Sequence, residues 1–163
     1  MKKRILITGG AGFIGSHLAE ELLDHGYAVR VLDCLSPQVH GEEQRRPEYL
    51  AEEVELVRGD VRNAEDVRRA LRRVDAVYHF AAAVGVGQSM YEIAHYTAVN
   101  NLGTAVLLEA LAKHPVERLV VASSMSIYGE GASRRNDGTI VAVAERSRRQ
   151  LERAEWELRD EDG

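Results

Sequence analysis

Gly9, Gly12 and Gly15, with Gly10 beside the first, are the residues whose spacing most constrains a chemistry. They fit G-x-x-G-x-x-G, and Gly10, Gly12 and Gly15 fit G-x-G-x-x-G. Such a turn lets bare main chain touch a diphosphate. It needs backbone angles that glycine adopts cheaply. A side chain at Gly12 would block the pyrophosphate, and one at Gly15 would push the following helix off the preceding strand. That helix then offers free N–H groups and a partial positive charge to the phosphates. A second candidate is Asp33, 18 positions after Gly15, close to the ~20 residues at which an acid reaches an adenosine ribose. A carboxylate there accepts from both ribose hydroxyls and repels a 2′-phosphate, which favours NAD over NADP. The plainer alternatives are a glycine turn with no ligand and an aspartate closing a strand in a solvated loop. His79, beside Phe80, reads as a packed core histidine rather than a metal ligand, and no metal site is expected.

The surrounding elements must hold these residues at one edge. Arg4–Thr8 is a mostly apolar run that reads as a strand, and residues 16–23 show helical spacing. Gly26 marks the stop of that helix. Further strands are expected over 28–33, 54–58, 75–80 and 117–122, with a charged helix over 64–73. Residues 34–52 read as a surface loop with room for a short helix, and 85–90 as a mobile loop. Val99, Leu102, Val106, Leu107, Ala110 and Leu111 mark a long amphipathic helix over 99–113, wide enough for a partner helix. Alternating strands and helices predict a Rossmann-type, doubly wound parallel α/β sheet of order 3-2-1-4-5. Its switch point lies between strands one and four, and ligands bind outside the carboxyl ends there. The glycine turn, Asp33, Asp60, Ala81-Ala82 and Ser124 all fall at such ends.

The 163 residues suit one domain and can bury about two-thirds of the unfolded surface. A formal charge of -5, from 21 basic and 26 acidic residues, favours neither nucleic acid nor an anionic membrane. Cys34 is the only cysteine, so an internal disulfide is impossible and a reducing cytoplasm is the expected compartment. No apolar run approaches the ~20 residues of a membrane helix. The N-terminus runs straight into a strand and reads as structure rather than a signal peptide.

Taken in order, Thr8-Gly9-Gly10-Ala11-Gly12-Phe13-Ile14-Gly15, Asp33, Gly59-Asp60-Val61, His79-Phe80-Ala81-Ala82, Asn100 with Gly103-Thr104, and Ser123-Ser124 with Tyr128-Gly129 resemble the extended short-chain dehydrogenase/reductases. Within them the set is similar to the NAD-dependent nucleotide-sugar epimerases and dehydratases. The resemblance implies that Gly9, Gly12, Phe13, Ile14 and Gly15 hold the pyrophosphate, Asp33 the adenosine ribose, and Asp60 and Val61 the adenine. It implies that Phe80, Ala81 and Ala82 line the inner half of the cofactor and that Asn100 braces the active-site end. Ser123 would lie by the nicotinamide. Ser124 would hydrogen-bond the sugar hydroxyl being oxidised, and Ser126 would sit near the sugar. Strand-end capping is the alternative role for the serines. In the family a tyrosine phenolate with a nearby lysine takes the hydroxyl proton, hydride passes to NAD, and an epimerase returns it to the opposite face.

That Tyr-x-x-x-Lys is missing here: the lysines are Lys2, Lys3 and Lys113, and the last tyrosine, Tyr128, belongs to the Tyr-Gly turn. Residues 1–130 read as the NAD-binding domain. Residues 131–163 read as a charged tail or insertion, with a polar turn at 134–138, an apolar run at 139–144 and an exposed helix beyond. On that helix Glu145/Arg149 and Glu155/Arg159 form i,i+4 pairs and Leu151, Ala154 and Leu158 a narrow stripe. The substrate domain is absent, so the sheet is incomplete relative to the family. The expected protein is the N-terminal part of a nucleotide-sugar epimerase, inactive by itself; dehydratase or reductase are the enzymatic alternatives. A stand-alone NAD-binding domain and an interaction module without ligand are the others. An uncovered sheet edge and helix face predict self-association, as a homodimer through the 99–113 helix.

Overall fold

In the computed structural model, residues 2–129, 131–142 and 145–157 are described. The chain divides into two compact units, Met1–Ala122 and Ser123–Gly163.

The first unit is built on β1 (Arg4–Thr8), whose alternate side chains feed two cores. Ile5 and Ile7 join Val29 and Val31 of β2 (Ala28–Asp33), with Ala19 and Leu22 of α1 (Phe13–Asp24). Leu6, on the opposite face, joins Leu32, Val67 of α3 (Ala64–Ala70), Val77 of β4 (Ala76–His79) and Leu107 of α6 (Gly103–Lys113). Burial on both faces is why β1 and β2 read as near-continuous apolar runs. β3 (Glu55–Arg58) and β5 (Arg118–Val121) are the edges of a sheet ordered β3-β2-β1-β4-β5. All four pairings are parallel, with Ile7 opposite Val31 on one side and Tyr78 on the other. This is the doubly wound order expected, and it brings the loops after β1, β2 and β4 to one edge.

Local chemistry explains the boundaries. Gly26 (φ +80) follows α1, and its N–H bonds Leu23 O. Asn63 caps α3 by accepting from Glu65 N and Asp66 N, and Arg68 and Arg69 lie in its last turn. That helix stops at Ala70, short of the 73 expected: buried Arg30 takes the carbonyls of Ala70 and Arg72, each at 2.7 Å, and Arg73 turns to φ +56. α2 (Pro37–His40) and α4 (Val86–Ser89) are single turns, the second lying where a mobile loop was expected. The helix expected over 99–113 starts earlier. α5 (Ile93–Tyr96) leads through a π-helical stretch, Thr97–Leu102, directly into α6. Its inner face buries Gly103 and Leu107, while Leu102 and Leu108 remain 53% and 48% exposed.

The second unit holds a short 3-10 turn, Met125–Tyr128, and an antiparallel hairpin of β6 (Ala132–Arg134) and β7 (Ile140–Ala142). The polar turn at 134–138 is the hairpin's connection, with Gly138 at φ +89. Where the long helix was expected, the described residues form α7 (Arg148–Glu152). Ser147 caps it in a capping box with Gln150, so Glu145 precedes the helix and cannot pair with Arg149 along it. Among the described residues of this helix, Arg148 and Glu152 form an i,i+4 pair at 2.8 Å. Ala154 leaves the helix at φ +56, and Arg159 and Leu158 lie outside the described residues.

Candidate functional site

The β1–α1 turn is shaped by close approach of backbone to backbone. Gly9 sits at φ +68, and a Cβ there would lie 2.7 Å from Ala81 N and 2.9 Å from Phe80 C. A Cβ on Gly15 would meet Gly10 Cα at 2.5 Å and Gly9 O at 2.7 Å, and one on Gly10 would strike the Val31 side chain at 2.5 Å. These three glycines are required by the protein's own packing. Gly12 is different. Its φ of -76 and ψ of 177 suit any residue, and a Cβ would touch only Gly9 O, at 3.4 Å. The fold itself gives no reason for glycine there, but a ligand lying against the main chain would.

Gly12 is also the N-cap of a 12-residue helix with no capping side chain and no acid in its first turn. Among the described residues, nothing accepts the N–H groups of Phe13, Ile14 and Gly15. These are the orphan donors of a helix start, at the positive end of its dipole. Phe13 and Ile14, 78% and 68% exposed, leave that end open. The donor set suits an anion carrying several oxygens.

Asp33 closes β2 beside this turn and is 9% exposed. Its Oδ2 accepts from Ala11 N at 3.0 Å and its Oδ1 from Leu35 N at 2.9 Å, an arrangement that draws Leu35 to φ +52. His40 Nε2 lies 3.8 Å from Oδ1 with its side chain buried, and the Tyr49 hydroxyl donates to Ala11 O at 2.7 Å. Neither residue was singled out from sequence: Tyr49 lies 38 residues from Ala11, and no local pattern announces either partner. Cys34 follows Asp33. Burial, then the Asp33 and Asp60 carboxylates, push its thiol pKa above the ordinary value.

Asp60 and Val61 follow β3. Arg62 grips the Asp60 carboxylate through Nε, at 2.9 and 3.1 Å, and through a second guanidinium nitrogen at 2.5 Å. That contact holds the carboxyl below its usual pKa against the opposing effect of burial. The Val61 side chain is buried in the core against Gly103, where an added Cβ would meet it at 2.8 Å. What these two residues leave toward a base is main chain rather than a free carboxylate and an apolar side chain.

On the β4 side the Phe80 and Ala81 N–H groups both donate to Thr8 Oγ1 at 3.2 Å. The Asn100 amide, on the π-helical stretch, accepts from Ala83 N at 2.8 Å and donates to Ala83 O at 3.1 Å. Asn100 thus braces the segment 80–83 that follows β4, and Ala82 is exposed within it. Gln38 of α2 donates to Gln88 of α4 at 3.1 Å. His79 is a packed histidine as expected, 4% exposed. Among the described residues no cluster of metal ligands occurs.

Gly9, Gly12, Phe13, Ile14, Gly15, Asp33, Asp60, Val61, Phe80, Ala81, Ala82 and Asn100 all belong to the first unit. Ser123, Ser124 and Ser126 belong to the second. There Ser124 caps the 3-10 turn, its hydroxyl accepting from Ser126 N at 3.1 Å, and Ser123 and Ser126 are exposed.

Comparison with known proteins points the same way. The family model described as NAD dependent epimerase/dehydratase family matches residues 5–147. The dTDP-L-rhamnose 4-epimerase of Burkholderia thailandensis is 42% identical over 160 residues, covering 96% of this chain and 44% of that protein. The UDP-glucose 4-epimerase of Neisseria meningitidis serogroup C is 39% identical over 130 residues, covering 78% and 38%. Among solved structures, the UDP-glucose 4-epimerase of Thermus thermophilus, in complex with NAD, superposes with a TM-score of 0.67 at 42% identity, over 74% of this chain and 37% of that one. The chain therefore spans about two-fifths of the length of these relatives.

Proposed function

From the premise that the chain belongs to the NAD-dependent epimerase/dehydratase family, we propose that its first unit binds NAD as the cofactor-binding part of a nucleotide-sugar 4-epimerase. The observation that supports this most is Gly12, whose missing side chain leaves the fold unstrained but leaves main chain bare at an uncapped helix start. In this reading the N–H groups of Phe13, Ile14 and Gly15 hold the pyrophosphate. Asp33 takes the adenosine ribose, and its charge disfavours a 2′-phosphate. The Asp60-Val61 main chain faces the adenine. Phe80, Ala81 and Ala82 line the inner half, with Asn100 as brace.

NAD, when bound, supplies a hydride acceptor and donor for the sugar carbon. The same reading gives Ser123 a place by the nicotinamide, Ser124 the sugar hydroxyl and Ser126 a place near the sugar. The order Ser-Ser…Tyr-Gly of the family is the support for those three roles. With lysine only at positions 2, 3 and 113, no Tyr-x-x-x-Lys base is present in this sequence. The chain by itself then binds the dinucleotide without turnover. A dehydratase or reductase of the same family is the second reading, favoured by the same cofactor residues. The exposed Leu102 and Leu108 on the outer helix face support a homodimer through that helix. A reducing cytoplasm is the proposed setting; among the described residues no helix is long and apolar enough to cross a membrane.

Calorimetric titration tests the reading. The expected result is NAD bound at least tenfold more tightly than NADP, with no epimerisation of UDP-glucose or dTDP-rhamnose by the chain alone. Absence of NAD binding, or preference for NADP, overturns it.

A further inference from the structure

The ring of His79 is held at both nitrogens inside the crevice wall. Thr8 Oγ1 lies 2.7 Å from Nδ1, and Thr104 Oγ1 lies 3.0 Å from Nε2. The protons can be assigned by counting donors and acceptors. Thr104 Oγ1 gives its one proton to Asn100 O, at 2.6 Å, and so accepts from the ring. The proton of the neutral imidazole is then on Nε2, Nδ1 is bare, and the Thr8 hydroxyl donates to it. Thr8 Oγ1 in turn accepts from Ala81 N and shares the Phe80 N–H with the Thr8 carbonyl, which takes it at 3.0 Å.

Resting on the reading of the crevice as a dinucleotide site, we propose that His79 is a positioning residue for the dinucleotide: locked as one neutral tautomer between Thr8 and Thr104, it sets the Phe80–Ala81 main chain against the glycine turn, and protonating it releases that wall. A proton on Nδ1 would confront the Thr8 hydroxyl proton. Thr8 would have to turn and accept from the ring, aiming its own proton at the N–H of Ala81, which it now accepts, or at that of Phe80, which keeps the Thr8 carbonyl. That main chain is the surface a Gly9 Cβ would strike at 2.7 Å, so it has no slack toward the turn. The elements packed on the ring bring no charge to it. β1 presents Thr8, β5 presents Val121 at the register position, and the helix presents Thr104 and Asn100. Burial alone acts on the ring among the described residues, and it lowers the pKa.

The experiment uses the full chain and NAD, by calorimetry from pH 8 to pH 5, with ring ¹⁵N shifts of His79 followed by NMR. In the NAD-free chain the ring should show bare Nδ1 and protonated Nε2. NAD affinity should be constant at neutral and higher pH, then fall toward tenfold per pH unit once the ring titrates. By linkage, saturating NAD should move the ring's titration to lower pH. His79→Gln keeps an acceptor and a donor without titrating. It should bind within about threefold of the parent at pH 8 and stay flat to pH 5. A second imidazole, His40, lies 3.8 Å from Asp33, so the two proteins are compared at each pH. An Nδ1–H tautomer, identical pH profiles, or a His79 titration that NAD leaves unmoved each overturns the proposal, and the two NMR results need no variant. Failure of the parent to bind NAD at pH 8 sinks the dinucleotide reading and this proposal together; binding at pH 8 with a flat profile sinks this proposal alone.

Discussion

Replacing Gly12 by alanine should separate folding from binding. The backbone at this position is extended and open to any residue, and the added methyl finds its nearest neighbour, Gly9 O, at 3.4 Å, an ordinary contact. Alanine is a poorer N-cap than glycine by up to about 1 kcal/mol. Loss of chain entropy in the unfolded state returns about 0.4–1 kcal/mol. The net change is within about 1 kcal/mol, or roughly 5 °C in Tm for a unit of this size. Binding should respond on another scale. The methyl stands between the incoming diphosphate and the N–H groups of Phe13 and Ile14, and each hydrogen bond to a charged group contributes about 1.5–3 kcal/mol. Losing two weakens binding by about 3–6 kcal/mol, at least 100-fold. Differential scanning fluorimetry reads the first quantity and isothermal titration with NAD the second. Affinity within threefold of the parent would show that the turn is not a phosphate seat. A melting point lowered by 10 °C or more would show that the steric account of Gly12 is wrong.

Gly15→Ala should do the opposite, lowering Tm by roughly 10 °C before any ligand is added, because its Cβ meets backbone at 2.5 and 2.7 Å; an unchanged melt refutes the packing role. Arg30→Met should cost about 2–4 kcal/mol in urea unfolding, since the carbonyls of Ala70 and Arg72 lose their buried donor; a neutral result would mean that water replaces it. The Cys34 thiol, pushed up by burial and by the Asp33 and Asp60 carboxylates, should react with iodoacetamide at pH 7.5 more slowly in the folded chain than in urea, and Asp33→Asn should narrow the gap. Equal rates in folded and unfolded chains contradict that account.

What could be read from the sequence was what neighbouring residues determine. β2 was expected over 28–33 and spans Ala28–Asp33, because both its ends are marked locally, by Gly26 and by the acid. Strand order followed from the alternation of elements and from the position of the glycine turn. The limits show where tertiary structure takes over. α3 ends at Ala70 because Arg30, 40 residues earlier, collects its last carbonyls. The helix before Gly103 begins at Ile93, through polar and aromatic residues that break the apolar period, and its π turn shifts the phase that a 3.6-residue reading assumes. Asp137-Gly138 was read as a turn, but three-residue strands on either side carry too short a pattern to announce a hairpin. In the candidate site, the spacing of Gly9, Gly12, Gly15 and Asp33 was visible, as was the division between Gly12 for a ligand and Gly15 for packing; that Gly9 and Gly10 are also held by packing was not. Nor was the hold of Arg62 on Asp60, although the two are only two residues apart.

The Asp33 carboxylate does two jobs in one place. The oxygens that would meet a ribose also splint the phosphate turn, through Ala11 N, to the start of the next loop, through Leu35 N. Cofactor preference and turn rigidity are therefore inherited together. A lineage or an engineer replacing this acid to admit a 2′-phosphate must at the same time find another acceptor for two buried amides. The route to a different dinucleotide thus passes through a coordinated pair of changes, and single replacements along it should give proteins that are less choosy and softer at once.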